Sequence, residues 1–102
     1  MKSSTKYFRF NNFYVNRHLP ILVDEQGQHI NLEQKVWLLL LLFCEAPETV
    51  ISRNEIIEKV YKGVVVSDNA VNKLVAKLRK ELADTPNAPK YIKTIPKQGY
   101  TL

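Results

Sequence analysis

Residues 66–82, with the sequence VSDNAVNKLVAKLRKEL, decide the fold. At 100° per residue, the apolar side chains recur at spacings of three and four and define one buried helix face: Val71, Leu74, Val75, Leu78 and Leu82. The opposite face then points outward and presents Asn69, Asn72, Lys73, Ala76, Lys77 and Lys80, with Arg79 at its flank. Ser67 or Asp68 can cap this helix, which we expect to end near Ala83 ahead of two prolines, Pro86 and Pro89.

The outward face offers amide and cationic donors around one small alanine. Such donors can bind base edges in the major groove of DNA, where Asn suits adenine and Arg or Lys suits guanine. A lysine-rich face that simply stays solvated is the plainer interpretation of this helix taken alone. The neighbouring segments decide between the two interpretations.

Residues 91–102 follow this helix and alternate around Pro96-Lys97-Gln98-Gly99. The pattern predicts a terminal β-hairpin in which Gly99 supplies the positive φ of the turn. This segment and the residue before it contain three lysines and no acidic residue: Lys90, Lys93 and Lys97. A lysine-bearing hairpin can simply protect a sheet edge, but beside a basic helix it is typical of a wing, whose lysines and Thr94 can meet phosphates or the minor groove.

Two helices are predicted ahead of residue 66. The first runs from Leu32 to about Ala46, capped by Asn31 with Gln34 in a variant capping box, and its leucines on every side predict a central, buried helix before Pro47. The second begins with the Ser-x-x-Glu capping box of Ser52 and Glu55 and ends before Gly63. Its apolar stripe consists of Ile56, Ile57 and Val60.

Short aromatic and β-branched pieces precede the helices. They predict antiparallel strands at Tyr7–Phe10, Phe13–Val15 and Ile21–Val23, with the strand region ending near Ile30 and turns at residues 11–12 and 24–27. Three consecutive valines, residues 64–66, form another β-prone patch. Because valine suits a solvated loop poorly, we expect at least one of them to be buried, pairing as a short strand against the hairpin.

The elements together predict an α+β winged helix-turn-helix with an N-terminal antiparallel sheet, three helices and a C-terminal β-hairpin wing. The 102 residues, 45% of them hydrophobic, suffice for one domain, residues 1–102. Within it we expect strands at about 1–31, a three-helix core at 32–84 and the wing at 90–102. The net charge of +5 arises from residues 51–102, since residues 1–50 have equal numbers of basic and acidic groups.

Several function classes find no support in the sequence. The single cysteine, Cys44, excludes a disulfide framework and a thiolate metal cluster, and the histidines, His18 and His29, have no partner at ligand spacing. No phosphate-binding glycine loop or convergent acid-base pair is present, so we expect neither an enzyme, nor a cofactor, metal or small-molecule substrate. The longest apolar run, residues 36–44, is too short for a membrane span, which needs about 20 residues.

Five segments resemble one known family. In order they are Ile30-Asn31-Leu32, residues 50–57 (VISRNEII), 66–71 (VSDNAV), 78–82 (LRKEL) and 91–100 (YIKTIPKQGY). They are similar to the OmpR/PhoB-type winged-helix DNA-binding domain, and VSDNA and TIPKxGY resemble its ToxR/CadC-like branch. The resemblance covers the chain from about Tyr7 to Leu102.

The resemblance implies a bacterial transcription regulator, specific for double-stranded promoter DNA. It implies groove-facing roles for Asn72, Lys73, Ala76 and Lys77, and backbone contacts for Arg53 and Arg79. It implies a wing formed with Lys93, Thr94, Lys97 and Gln98, where Gln98 replaces an arginine frequent in the branch, so that fewer charge contacts are expected. Residues 61–66 match a loop that contacts RNA polymerase, with Tyr61 and Lys62 as candidates.

The ToxR/CadC-like branch further implies the cytoplasmic domain of a single-pass inner-membrane activator, able to self-associate on DNA or to bind a membrane-protein co-regulator. A short standalone regulator is the other possibility. Two other functions stay open: a winged-helix protein-interaction module whose basic face meets an acidic partner, and non-specific nucleic-acid or RNA binding. The second would require stacking aromatics near the basic half, whereas most aromatics here belong to the N-terminal strands.

Overall fold

The computed structural model describes residues 6–10, 12–46, 48–84 and 91–102. Its elements follow the order four strands, three helices, two strands. The bounds are β1 Tyr7–Phe10, β2 Phe13–Asn16, β3 Ile21–Val23, β4 His29–Asn31, α1 Gln34–Glu45, α2 Arg53–Val60, α3 Asp68–Glu81, β5 Lys93–Ile95 and β6 Gly99–Thr101. The predicted winged helix-turn-helix architecture is confirmed. The predicted turn residue Asn11, the prolines Pro47, Pro86 and Pro89, and the wing residue Lys90 lie outside the described residues.

The first four strands form one antiparallel sheet in the order β1-β2-β3-β4. Phe8 pairs with Val15, Val15 with Leu22, and Leu22 with Ile30, so one row of apolar side chains crosses the sheet on a single face. Val15 and Leu22 are completely buried. This row packs the sheet against the helices.

The start of α1 differs from the prediction. Asn31 is a strand residue paired with Ile21, and the Leu32 amide donates to the carbonyl of Pro20, so the backbone stays extended past the predicted cap. Glu33 takes the N-cap position instead, and its side chain forms no capping hydrogen bond. The helix therefore begins at Gln34 and leaves the Glu33 carboxylate available for another partner.

Helix α1 is buried on one side more than on the others. Four of its residues are buried: Val36, Leu39, Leu40 and Phe43. Trp37 and three leucines are only partly buried: Leu38, Leu41 and Leu42. The prediction of a fully buried central helix is thus wrong, because the sheet, α2 and α3 together leave part of its circumference uncovered. The indole Nε1 of Trp37 donates to the carbonyl of Asn16 at 2.7 Å and connects α1 to β2.

Helix α2 has the predicted capping box. The Ser52 hydroxyl accepts from the amide of Glu55 at 3.1 Å, and the Glu55 carboxylate accepts from the amide of Ser52 at 3.5 Å. Ile56 and Val60 are buried, as the apolar stripe requires, while Ile57 is partly buried. The helix ends at Val60, and two of the residues that follow it, Lys62 and Gly63, adopt positive φ.

The three valines after α2 overturn another prediction. Val64 and Val65 are 62% and 95% exposed, Val66 is only partly buried, and residues 64–67 form no strand. The wing pairs instead with Ile51, whose amide and carbonyl exchange hydrogen bonds with Tyr100 at 2.7 and 3.0 Å. Ile51 is buried and lies directly ahead of α2, so it provides the edge that the valines were expected to provide.

Helix α3 begins with Ser67 as its N-cap, whose hydroxyl accepts from the Ala70 amide at 3.2 Å. It ends at Glu81, earlier than predicted, because Ala83 has a φ of 56° and the chain closes in a Schellman-type turn. The amide of Asp84 donates to the carbonyl of Arg79, and that of Ala83 donates to the carbonyl of Lys80. The turn ends the helix before the chain reaches the two prolines.

Candidate nucleic-acid interface

The two faces of α3 separate as the spacing predicts. The apolar face is buried throughout: Val71, Leu74, Val75, Leu78 and Leu82. All six residues predicted to face a groove are exposed: Asn69, Asn72, Lys73, Ala76, Lys77 and Lys80. Amphipathicity therefore fixes the orientation of this helix, with its amides and amines on the surface.

Asn72 lies where α3, α2 and the wing meet. Its amide oxygen accepts from Nη2 of Arg53 at 2.8 Å and from the hydroxyl of Tyr100 at 2.8 Å. The same Nη2 also donates to the Tyr100 hydroxyl at 3.2 Å, and the guanidinium lies 5.8 Å from the Tyr100 ring centroid. These bonds hold the start of α2 and the middle of β6 against the outward flank of α3.

Arg79 connects α3 to the other strand of the wing. Its Nη2 donates to the carbonyl of Ile92 at 2.9 Å and to the hydroxyl of Thr94 at 3.0 Å. Its Nε is buried and has no hydrogen-bond partner within the described residues. Two residues assigned separately to the DNA backbone and the wing, Arg79 and Thr94, are therefore bonded to each other.

Lys77 lies on the opposite flank of the outward face. Its Nζ forms an ion pair with the Glu33 carboxylate at 3.2 Å, and both side chains are more than half exposed. Glu33 could not be predicted as a partner from sequence, because 44 residues separate it from Lys77. Glu33 is a single carboxylate placed at the edge of a cationic surface.

The wing presents its predicted side chains to solvent. Lys93, Thr94, Lys97 and Gln98 are all exposed. Lys97 occupies the turn with a φ of 65°, and the amide of Gln98 donates to the carbonyl of Ile95 at 3.0 Å. An open cleft separates the wing from the start of α2, and Arg53 and Lys97 both line it.

Gly99 follows the turn as the first residue of β6. It has the predicted positive φ, at 148°, but the turn itself is made by residues 96–98. A Cβ built at Gly99 would lie 2.0 Å from the carbonyl oxygen of Ile51. The glycine is therefore required for the close approach of two backbones where the wing meets the segment before α2.

Asp84 positions the wing, a role that its place in the sequence does not indicate. It is 7% exposed, and its carboxylate accepts from the amides of Tyr91 and Ile92 at 3.1 and 3.0 Å. These bonds fix the chain entering β5 next to the end of α3. An acidic residue just after a helix gives no local indication of such a role, because its partners lie seven and eight residues downstream.

The loop after α2 divides into a packed and an exposed part. The Tyr61 side chain packs against the core, its hydroxyl donates to the carbonyl of Ala70 at 3.4 Å, and Lys35 lies 5.8 Å from its ring centroid. Lys62, by contrast, is exposed together with Val64 and Val65. Of the two candidates for a protein partner, only Lys62 presents its side chain freely to solvent.

The remaining chemistry of the described residues is limited. Cys44 is a free, half-buried cysteine, and burial together with the neighbouring Glu45 raises the pKa of its thiol to about 12. No set of three His, Cys, Asp or Glu side chains within the described ranges is grouped to hold a metal ion. Among the same residues, no helix has both the length and the apolar character to cross a membrane.

Comparisons with known proteins agree with this geometry. The sequence pattern of the family described as "Transcriptional regulatory protein, C terminal" matches residues 27–102. The chain is 32% identical over 102 residues to the cholera toxin homolog transcriptional activator of Vibrio parahaemolyticus, covering 96% of this chain and 35% of that protein. It therefore spans about a third of the length of this relative.

Two solved structures share the fold. The DNA-binding domain of Escherichia coli CadC superposes with a TM-score of 0.83 at 30% identity, over 96% of this chain and 92% of that one. The DNA-binding domain of Klebsiella pneumoniae RstA, solved in complex with the RstA box, superposes with a TM-score of 0.86 over 96% and 97% of the two chains. At 21% identity, the second similarity concerns the fold alone.

Proposed function

This chain belongs to the OmpR/PhoB-type family of transcriptional regulatory protein C-terminal domains, and from that premise we propose that it binds double-stranded promoter DNA sequence-specifically. Helix α3 enters the major groove, and the β5–β6 wing contacts the adjacent minor groove or backbone. The observation that supports this most directly is the continuous outward face of α3, whose six exposed residues are free of acidic side chains, with the wing fixed beside it.

The proposal assigns different tasks to α3 and to the wing. Groove contacts by Asn69, Asn72, Lys73, Ala76, Lys77 and Lys80 select sequence, while Lys93, Thr94, Lys97 and Gln98 contact backbone or minor groove. Arg53 and Arg79 serve the backbone contacts chiefly by holding the wing and α2 in place, since both guanidinium groups already bond protein atoms.

The test is a fluorescence anisotropy titration of the chain with a selected promoter duplex and a scrambled one at two salt concentrations. Roughly four to six phosphate contacts would give log K a slope of about −4 to −5 against log salt. A flat salt response, or equal affinity for both duplexes, would overturn sequence-specific DNA binding. A flat response would favour the alternative of a protein-interaction module.

Single substitutions separate the two tasks. Lys77→Ala or Asn72→Ala should relax discrimination at one base pair by about 1 to 3 kcal/mol. Lys97→Ala should weaken binding to all duplexes alike and reduce the salt slope by about one, because phosphate contacts do not read sequence. If Lys97→Ala changed base preference and Lys77→Ala did not, the assignment of α3 to the groove would be wrong.

The proposal includes an activating contact with RNA polymerase through the loop after α2. Lys62 is exposed there beside two exposed valines, whereas Tyr61 is packed against the core and supports the loop from within. Lys62→Ala should leave promoter binding unchanged and abolish activation, while Lys59→Ala, an exposed lysine in the last turn of α2, serves as the matched control. Unchanged activation in Lys62→Ala would exclude this residue as the contact.

For the whole protein we propose a membrane-tethered, ToxR/CadC-like activator whose DNA-binding domain is cytoplasmic and is able to self-associate on DNA or to bind a membrane-protein co-regulator. The similarity to the cholera toxin homolog transcriptional activator and to the CadC domain supports this choice. Fractionation of cells that express the full-length protein should place it in the inner membrane. Recovery in the soluble fraction would contradict the tether without affecting DNA binding.

A further inference from the structure

The hydrogen bonds around Asn72 determine which way its amide faces. An asparagine oxygen and nitrogen look alike in shape, so their assignment depends on the partners. Here one partner is Nη2 of Arg53, 2.8 Å away, and a guanidinium nitrogen can only donate. The atom facing Arg53 must therefore be the amide oxygen.

Both lone pairs of that oxygen are in use. The Tyr100 hydroxyl accepts from Arg53 and donates its own O–H to the Asn72 oxygen at 2.8 Å, so the three side chains form a closed and mutually consistent network. No side chain or backbone group within the described residues accepts from the amide nitrogen of Asn72, and the residue is exposed. Asn72 thus offers solvent two N–H donors and no acceptor.

We infer that Asn72 reads a base edge as a donor only, selecting guanine and rejecting adenine. The bidentate pair between Asn and adenine requires the amide oxygen to accept from N6, and Arg53 and Tyr100 already occupy that oxygen. Guanine presents two neighbouring acceptors, N7 and O6, within reach of the amide nitrogen, and thymine presents one, O4, whereas the N6 amino group of adenine would face a second donor. The inference rests on the proposed function and reverses the base preference expected from the sequence.

Asn72→Asp reverses the polarity of the exposed atom while leaving the network in place. One carboxylate oxygen still accepts from Arg53 and Tyr100, and the other replaces the N–H donors with an acceptor. Binding sites selected from a randomised duplex pool should show guanine at one position for the unaltered chain. For Asn72→Asp that position should change to cytosine or adenine, whose amino groups donate, with roughly tenfold discrimination in anisotropy titrations.

Asn69→Asp is the matched control. It makes the same change from amide to carboxylate on the same exposed face of α3, without a contact to Arg53 or Tyr100. It adds the same negative charge and should weaken binding without moving the preference at the Asn72 position. If both variants lost affinity alike and neither changed the selected base, Asn72 would be contacting phosphate and the inference would be wrong.

Tyr100→Phe tests the same network without adding charge. Loss of the hydroxyl frees one lone pair of the Asn72 oxygen, so discrimination against adenine should fall several-fold at that position. Unchanged discrimination would overturn the inference, even if Asn72→Asp failed to fold. A parent chain that binds selected and scrambled duplexes equally would overturn the proposed function itself, which is a different result from specific binding with an adenine at this position.

Discussion

At the residue scale, the ion pair between Glu33 and Lys77 places a carboxylate beside a lysine that the proposed function requires for DNA. The pair is 3.2 Å long and solvent-exposed, and such pairs contribute only about 0 to 1 kcal/mol, so Lys77 can exchange Glu33 for a DNA group. Until that exchange occurs, Glu33 repels phosphates and holds Lys77 in place. If Lys77 contacts DNA as proposed, we expect this carboxylate to lower DNA affinity while it orients the lysine.

Glu33→Gln should raise affinity for the promoter duplex by up to about fivefold at low salt, and the gain should shrink as salt screens the removed repulsion. Anisotropy titrations across a salt series measure this. Glu25→Gln is the control, because it removes an equal charge from the β3–β4 turn, where Glu25 accepts from Asn12. Equal gains from the two variants would attribute the effect to net charge and not to the Lys77 pair.

Cys44 gives a prediction about pH. Its thiol has a raised pKa of about 12 in the folded chain against an ordinary value of 9.0, because burial disfavours the thiolate. Between these pH values the folded state binds more protons than the unfolded state, so the free energy of unfolding should fall as pH rises above about 9. Urea titrations of the parent chain and of Cys44→Ala should differ in this slope, and identical pH profiles would contradict it.

At the scale of elements, the sequence predicted those features of helices and strands that depend on contacts between residues close together in the chain. The capping box of Ser52 and Glu55 and the buried face of α3 depend on residues three or four apart, and both were predicted correctly. The start of α1 was not, because Asn31 pairs across the sheet with Ile21, ten residues earlier. The neighbour of the wing was also mispredicted, because the wing pairs with Ile51 and not with the valines at residues 64–66.

Gly99 connects the wing to the segment before α2, and its replacement should show this. Gly99→Ala should cost about 1 to 3 kcal/mol more than Gly27→Ala, because both have positive φ but only Gly99 has a backbone oxygen in the way of a Cβ. Urea unfolding followed by the fluorescence of Trp37, the single tryptophan, measures both variants. Equal costs would mean that the wing can move away from Ile51 freely.

At the scale of the whole molecule, charge position predicted that residues 51–102 form the binding half, but it gave no indication of the side-chain contacts within that half. The basic excess of residues 51–102 falls on α3, on the wing segment and on Lys62, whereas α2 has two basic and two acidic residues and adds no net charge. Helix α3 and the wing are also the main parts of the proposed interface. The contacts that join these elements, Arg53 to Asn72 and Arg79 to Thr94, span 19 and 15 residues and follow no sequence period. These contacts exist only because the three elements pack together, so the sequence alone could not predict them.

The dimensions of the domain lead to a prediction about its arrangement on DNA. Its principal extents are 36, 29 and 23 Å, and consecutive major grooves on one side of a duplex lie about 34 Å apart, so two domains fit side by side without overlap when their 36 Å axis lies across the duplex and not along it. A single domain should bind weakly, and two tethered copies should gain affinity through a high effective concentration. A fusion of two copies through a flexible linker should bind half-sites about 10 base pairs apart much more tightly than half-sites about 15 apart, which face opposite sides of the duplex. Equal affinity at both spacings, or a footprint limited to one short site, would show that the domain acts singly.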